Sequence, residues 1–272
     1  MRGMDRPLFD FSFFDRLPAR PLGEARLIEG RAAAPGRPAL LMLPGAYHGG
    51  WCYAHYLAHF ARADWGCYAL DYPAPSPTQT IAELGACARA AVARIGAPVI
   101  VVGHSMGALP ALLCAAQAPV AGVVLLAPSP PANVPQAAPL PPVPAGVLRA
   151  PPGETEVRER FLALPPGADV RPVLARLIPA APEVLNDRYL LRVAVDPAAI
   201  RVPGLCLAAG RDTHDRHPPG QDAAVARHYG FAHRVLAEQP HCMMYGPAWR
   251  ASADAILQWC NHAFPVARHA PA

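Results

Sequence analysis

The sequence predicts an α/β protein built on a mostly parallel, doubly wound sheet with a helical cap insertion, and three observations lead there. Short apolar runs alternate with helical patterns along most of the chain. One such run, Pro98-Val99-Ile100-Val101-Val102, passes directly into Gly103-His104-Ser105-Met106-Gly107 and then into an Ala/Leu-rich helical stretch. The alternation breaks from Pro128 to Val202, where prolines crowd the chain through Pro152.

The elements follow in order. A leader of roughly 35 residues holds four of the eight phenylalanines (Phe9, Phe11, Phe13 and Phe14). It is short and charge-interrupted, so it is expected to pack on the core or cap as an extended segment rather than to anchor in a membrane. Strands are expected at Ala39 to Leu43, Cys67 to Leu70, Val99 to Val102, Val123 to Leu126, Leu205 to Ala209 and His233 to Leu236, because strands covered on both faces read as apolar runs. Thr80 and Glu83 form a capping-box pattern that opens a crossover helix carrying Ile81, Leu84, Val92 and Ile95. Within 128–202, helical pieces are expected at Glu154 to Leu164 and Glu183 to Val193. Proline cannot continue a sheet, so this excursion reads as a cap on a core made of residues 1–127 and 203–272. Ala248 to Phe264 gathers Trp249, Ile256, Leu257, Cys260 and Phe264 near one face and reads as a closing helix.

Composition narrows the chemistry. With 53 % apolar residues in 272, the chain can bury a sizeable core. All 24 basic residues are arginine, so no lysine is present for a Schiff base, for covalently held PLP or for a Walker-type phosphate loop. Seven singly scattered cysteines suit reduced thiols rather than disulfides or a zinc site, and no cofactor or metal is expected. A net charge of +4 from dispersed arginines gives no reason to expect nucleic acid. No run approaches the length of a membrane span and no secretory leader is recognisable, which makes a cytoplasmic location the default expectation. A homo-oligomer is left open.

Ser105 is the candidate nucleophile, since a serine on a tight strand-to-helix turn projects its hydroxyl clear of the sheet and only small neighbours leave room for the backbone there. A serine needs a base to take its proton and an acid to hold that base. Asp212, at the carboxyl end of the strand Leu205 to Ala209, is the expected acid, in competition with an ordinary turn role for a Gly-x-Asp aspartate, and Asp215 is the alternative acid. His241, in the loop before the last helix, is the expected base. His214 and His217, which flank Asp215, are expected to be solvated rather than to hold a metal.

Strand, serine turn, insertion, acid loop and terminal histidine loop together resemble the α/β-hydrolase superfamily over nearly the whole chain, with the triad in the order Ser105, Asp212, His241. The string Pro44-Gly45-Ala46-Tyr47-His48-Gly49-Gly50-Trp51 is similar to the oxyanion loop of the methylesterase and hydroxynitrile lyase branch, departing from it at Pro44 where those relatives carry histidine. The resemblance implies that the backbone N–H groups of Ala46 and Met106 hold a developing oxyanion. Tyr47, His104 and Met243 are the candidates for touching substrate, although His104 is expected first to support the turn and methionine at these spacings is usually core.

The activity implied is acyl transfer through an acyl-enzyme on Ser105, acting on a small, largely apolar carboxylic ester, thioester or lactone. Arginines of the cap, such as Arg188 or Arg192, could turn inward and bind a carboxylate. The alternatives on the same scaffold are C–C bond cleavage and a catalytically silent binding protein. The relevant lyases use a lysine after the histidine, where this chain has Cys242, and a silent protein would normally show a replaced triad member.

Overall fold

The computed structural model describes residues 9–215 and 217–265. Its eight strands are β1 (Ala19–Leu22), β2 (Ala25–Arg31), β3 (Ala39–Leu43), β4 (Cys67–Asp71), β5 (Val99–His104), β6 (Gly122–Leu126), β7 (Gly204–Ala209) and β8 (Ala232–Leu236). They form one sheet in the order β1-β2-β4-β3-β5-β6-β7-β8. From β4 to β8 every pairing is parallel, while β1 and β2 run antiparallel at one edge.

The six strands legible in the apolar runs are present within two residues of their expected ends. The other two strands, β1 at the edge and β2 beside it, lie in the leader and have no such run. They form a hairpin turned at Gly23, whose φ of +61° suits glycine, with Arg20 of β1 ion-paired to Glu29 of β2 across it. Four residues, three of them exposed, make an edge strand too short for hydrophobic periodicity to reveal.

Along the central strands, side chains alternate between two cores. Leu40, Met42, Ile100, Val102, Val124 and Leu126 face one layer, formed by α1 (Ser12–Asp15), α2 (Ala54–Arg62) and α9 (Trp249–Ala263). Leu41, Leu43, Val99, Val101, Val123 and Leu125 face the other, formed by α3 (Ile81–Ile95), α4 (Ala108–Gln117) and α8 (Gln221–Tyr229). Complete burial of each such side chain contributes about 1.5–3 kcal/mol. In the leader, Phe9 and Phe11 are buried against Tyr245 and Trp51, and Phe13 and Phe14 pack partly on the same core.

Between β6 and β7 the chain leaves the sheet and carries α5 (Glu154–Glu156), α6 (Arg171–Leu174) and α7 (Pro182–Tyr189). After α5 the chain widens into a π turn over Val157–Phe161, where the sequence suggested a continuous helix to Leu164. This segment is fastened at several points. Ile178 N–H donates to the Tyr47 carbonyl at 3.0 Å, and Cys242 N–H donates to the Phe161 carbonyl at 2.9 Å. Arg176 forms two hydrogen bonds to Asp15 of α1 and lies over the Phe11 ring. Among the described residues, no helix is long and apolar enough to cross a membrane.

The capping box forms as expected: Glu83 N–H donates to Thr80 Oγ1 at 3.3 Å and Thr80 N–H donates to Glu83 Oε2 at 2.7 Å. A carboxylate from the inserted segment, Asp187, takes the Ile81 N–H at 3.0 Å and adds negative charge at the helix N-terminus. Thr80→Ala should lower the unfolding free energy by about 1 kcal/mol. Urea denaturation reads this directly, and an unchanged midpoint would show that Asp187 alone satisfies the helix start.

Candidate active site

Ser105 sits between β5 and α4 with φ +52°, in the left-handed region that residues with a Cβ avoid. The turn is possible because its neighbours are stripped to hydrogen. A Cβ on Gly103 would lie 2.5 Å from the Gly107 carbonyl oxygen, and a Cβ on Gly107 would lie 2.5 Å from the Leu43 carbonyl oxygen. The Ser105 carbonyl accepts the Ser129 N–H at 2.9 Å, which ties the turn to the loop after β6.

Three loops at the carboxyl edge of the sheet then converge. His241 Nε2 lies 3.0 Å from Ser105 Oγ, and His241 Nδ1 lies 2.6 Å from Asp212 Oδ2. The other Asp212 oxygen accepts the Thr213 N–H at 2.8 Å. Burial pushes the Asp212 carboxyl up, but the His241 and His217 rings and the hydrogen bonds from His241 and Thr213 outweigh it and hold the group below its ordinary value. Asp215, the alternative acid, is exposed and paired with Arg160.

The loop after β3 forms the facing wall. Tyr53 donates its hydroxyl to the Leu43 carbonyl at 2.9 Å, and Gly50 N–H donates to Asp71 Oδ1 at 2.5 Å. Ala46 and Met106 both line the cavity with Ser105. Ala46 N–H donates to no described residue, and Met106 opens a helical turn, where backbone N–H groups have no acceptor within the helix. The cavity over Ser105 holds about 70 Å³ and adjoins a groove of about 610 Å³, with Tyr47, Leu140, Arg160 and Tyr189 lining both.

Of the three candidates for contact with substrate, Tyr47 and His104 line the cavity. Met243 does not: its side chain is fully buried beneath the histidine loop, where its carbonyl accepts the Ser252 hydroxyl at 2.8 Å. His104 donates from Nε2 to the His241 carbonyl at 2.9 Å, so it also holds the loop that carries the base candidate. His217 departs from expectation as well. Instead of facing solvent it packs 4.9 Å from the His241 ring, with Nδ1 3.4 Å from Asp222 and 3.8 Å from Asp212. Asp212, His217 and His241 offer ligand atoms within 4.8 Å of one another, but a cation there would have to displace the short His241–Asp212 contact.

Sequence reasoning also passed over His48. It donates from Nδ1 to the Ala46 carbonyl at 2.8 Å and accepts the Tyr245 hydroxyl at Nε2, 2.7 Å away, which leaves it a wholly buried neutral ring. Its place in the oxyanion-loop string was the available signal. Phe161, in the π turn, packs against the rings of both His48 and His241, and nothing in the helical pattern from Glu154 to Leu164 announced it.

A family model described as the alpha/beta hydrolase family matches residues 40–255. The chain belongs to that family. Solved structures share the fold at low identity. A protein described as a lipase from Acinetobacter baumannii AYE aligns over 96 % of this chain and 99 % of its own, with TM-score 0.69 and 16 % identity. A methylesterase from Arabidopsis aligns over 83 % and 99 %, with TM-score 0.63 and 15 % identity. An enol-lactonase from Burkholderia xenovorans LB400 aligns over 89 % and 99 %, with TM-score 0.61 and 16 % identity. No curated protein sequence matches this hydrolase significantly.

Burial drives the His48 pKa from 6.5 down to about 4, against the hydrogen bond to the Ala46 carbonyl. The unfolded chain therefore binds a proton in this window that the folded chain refuses, and His48 costs stability as pH falls from 6.5 toward 4. Buried His104, also lowered, acts in the same sense, whereas raised His217 acts in the opposite one. Between about pH 7 and pH 5, His48 alone should account for a loss of about 2 kcal/mol. Urea unfolding at both pH values should show that loss shrinking by this amount in His48→Gln, and an unchanged pH dependence would contradict the neutral, buried ring.

Proposed function

We propose that this hydrolase cleaves a carboxylic ester, thioester or lactone through an acyl-enzyme on Ser105. The observation that carries the reading is the continuous contact from Ser105 Oγ through His241 to Asp212, at 3.0 and 2.6 Å, opening onto a cavity. Neighbours of the same fold described as a lipase, a methylesterase and an enol-lactonase support an ester-type bond.

Ser105 Oγ attacks the substrate carbonyl carbon while its proton passes to His241 Nε2. Asp212, accepting from Nδ1–H, fixes the tautomer that leaves Nε2 free to act as base and stabilises the imidazolium that forms. The carbonyl oxygen becomes an oxyanion facing the N–H groups of Ala46 and Met106, each contributing about a hundred- to a thousandfold in rate. Collapse expels the alcohol or thiol, protonated from His241 Nε2. Water, deprotonated by the same nitrogen, then attacks the acyl carbon, and Ser105 recovers its proton as the acid leaves. Residues 128–202 act as the cap of this site over a core of 1–127 and 203–272. Its Leu140 and Phe161 join Tyr47 and Met106 in an apolar lining that suits a small acyl group.

The test is kcat/KM on p-nitrophenyl esters of increasing acyl length. Ser105→Ala should lower it by several orders of magnitude, and a fluorophosphonate should label the Ser105 protein alone. Labelling that survives in Ser105→Ala would place the nucleophile elsewhere. Asp212→Asn should cost at least about a hundredfold more than Asp215→Asn, because only Asp212 touches His241; the reverse order would move the acid role.

A further inference from the structure

One cation at the cavity has no carboxylate partner among the described residues. Asp212 is taken up by His241 and the Thr213 N–H, His217 lies against Asp222, and Arg160 is paired with Asp215. Arg188, in the last turn of α7, lines the same cavity and is only 4 % exposed. Its guanidinium donates to the Ala138 carbonyl at 3.1 Å and pairs with no carboxylate among the described residues. Arg192, one turn further on, shows the contrast, since Glu183 accepts from it at 2.7 Å and Asp187 lies 3.8 Å away.

A guanidinium has five N–H donors and keeps its proton even when buried. Removing it from water without an anion is costly, and one carbonyl does not offset that cost. The carbonyls at the end of α7 favour a cation there, but they supply no fork-shaped acceptor. What lacks a contacting counter-charge is one guanidinium beside a cavity of about 70 Å³, and its fork of donors matches the two oxygens of a carboxylate.

We propose that Arg188 binds a carboxylate carried by the substrate, so that the molecule cleaved is a short ester, thioester or lactone with a free acid group at the end remote from the scissile carbonyl. This rests on the hydrolase reading above and refines it: the carbon skeleton between the two ends meets the apolar walls, and the acid end selects. An uncharged analogue must leave Arg188 desolvated and uncompensated, so discrimination comes from what the wrong substrate fails to satisfy as much as from what the right one gains.

Ser105→Ala allows binding to be measured without turnover. Calorimetric titration with the monomethyl esters of succinate, glutarate and adipate, each beside its uncharged dimethyl ester, should show at least one monoester binding about ten- to a hundredfold tighter than its partner. Arg188→Met in the same background should bring that pair to near equality. Where thermal melting shows that the Met variant does not fold, Arg188→Gln, which keeps a donor for the Ala138 carbonyl, should give the same loss. Equal or undetectable binding of every pair, or a preference that survives the loss of Arg188, overturns the proposal. Turnover of the same esters by the Ser105 protein separates the two readings. Selective binding with no Ser105-dependent turnover would sink the hydrolase assignment and leave the anion site standing. Ser105-dependent turnover without discrimination would do the opposite.

Discussion

Everything at the carboxyl edge of the sheet depends on how closely the backbone can pass at the Ser105 turn. With Ser105 at φ +52°, the chain doubles back so tightly that Gly103 meets the start of α4 and Gly107 meets the Leu43 and Pro44 carbonyls. Such a conformation costs about 1–3 kcal/mol and persists only where the surroundings over-determine it. Here they do. The Ser129 N–H holds the Ser105 carbonyl, the neighbouring His104 reaches the His241 carbonyl, and the loop carrying Ala46 is pressed against the turn from the other side. The strained residue therefore sets the depth of three separate loops at once.

The second ordering influence is dielectric. His48 and His104 are buried as neutral rings whose hydrogen bonds go to backbone carbonyls or to Tyr245, so they hold loops in place without adding charge. The carboxylates nearest His241 lie on its other side, where Asp212, His217 and Asp222 follow one another. Because Asp212 keeps its carboxylate against the pull of burial, His241 lies between an anionic wall and a neutral one, and its Nδ1–H has one direction to point.

The parts legible in the sequence were those with a repeat or a fixed chain order. Buried parallel strands announce themselves as apolar runs, Thr80 and Glu83 as a cap, and Ser105, Asp212 and His241 as residues that follow strands in a set succession. Contacts made by residues without periodicity were not legible. Strand β1 has four residues and is mostly exposed, and Phe161 reaches His241 from a π turn. His217 was judged by its spacing from Asp215, whereas its position is decided by Asp222 in the first turn of α8. Met243 is a candidate for the pocket that the spacing equally allows as core, and the chain after the histidine seats it in the core. Arg188 and Arg192 were indistinguishable by composition, and the carboxylates of Glu183 and Asp187 separate them.

The bond from Cys242 N–H to the Phe161 carbonyl couples two regions that the chain keeps about eighty residues apart. A swinging roof over Ser105 would have to break that bond and would drag on the residue next to His241. The bond fixes the spacing between Phe161 and the histidine loop, and beside them lies the groove lined by Tyr47 and Tyr189. The backbone of one region thereby sets how far the Phe161 ring stands from His241 in another.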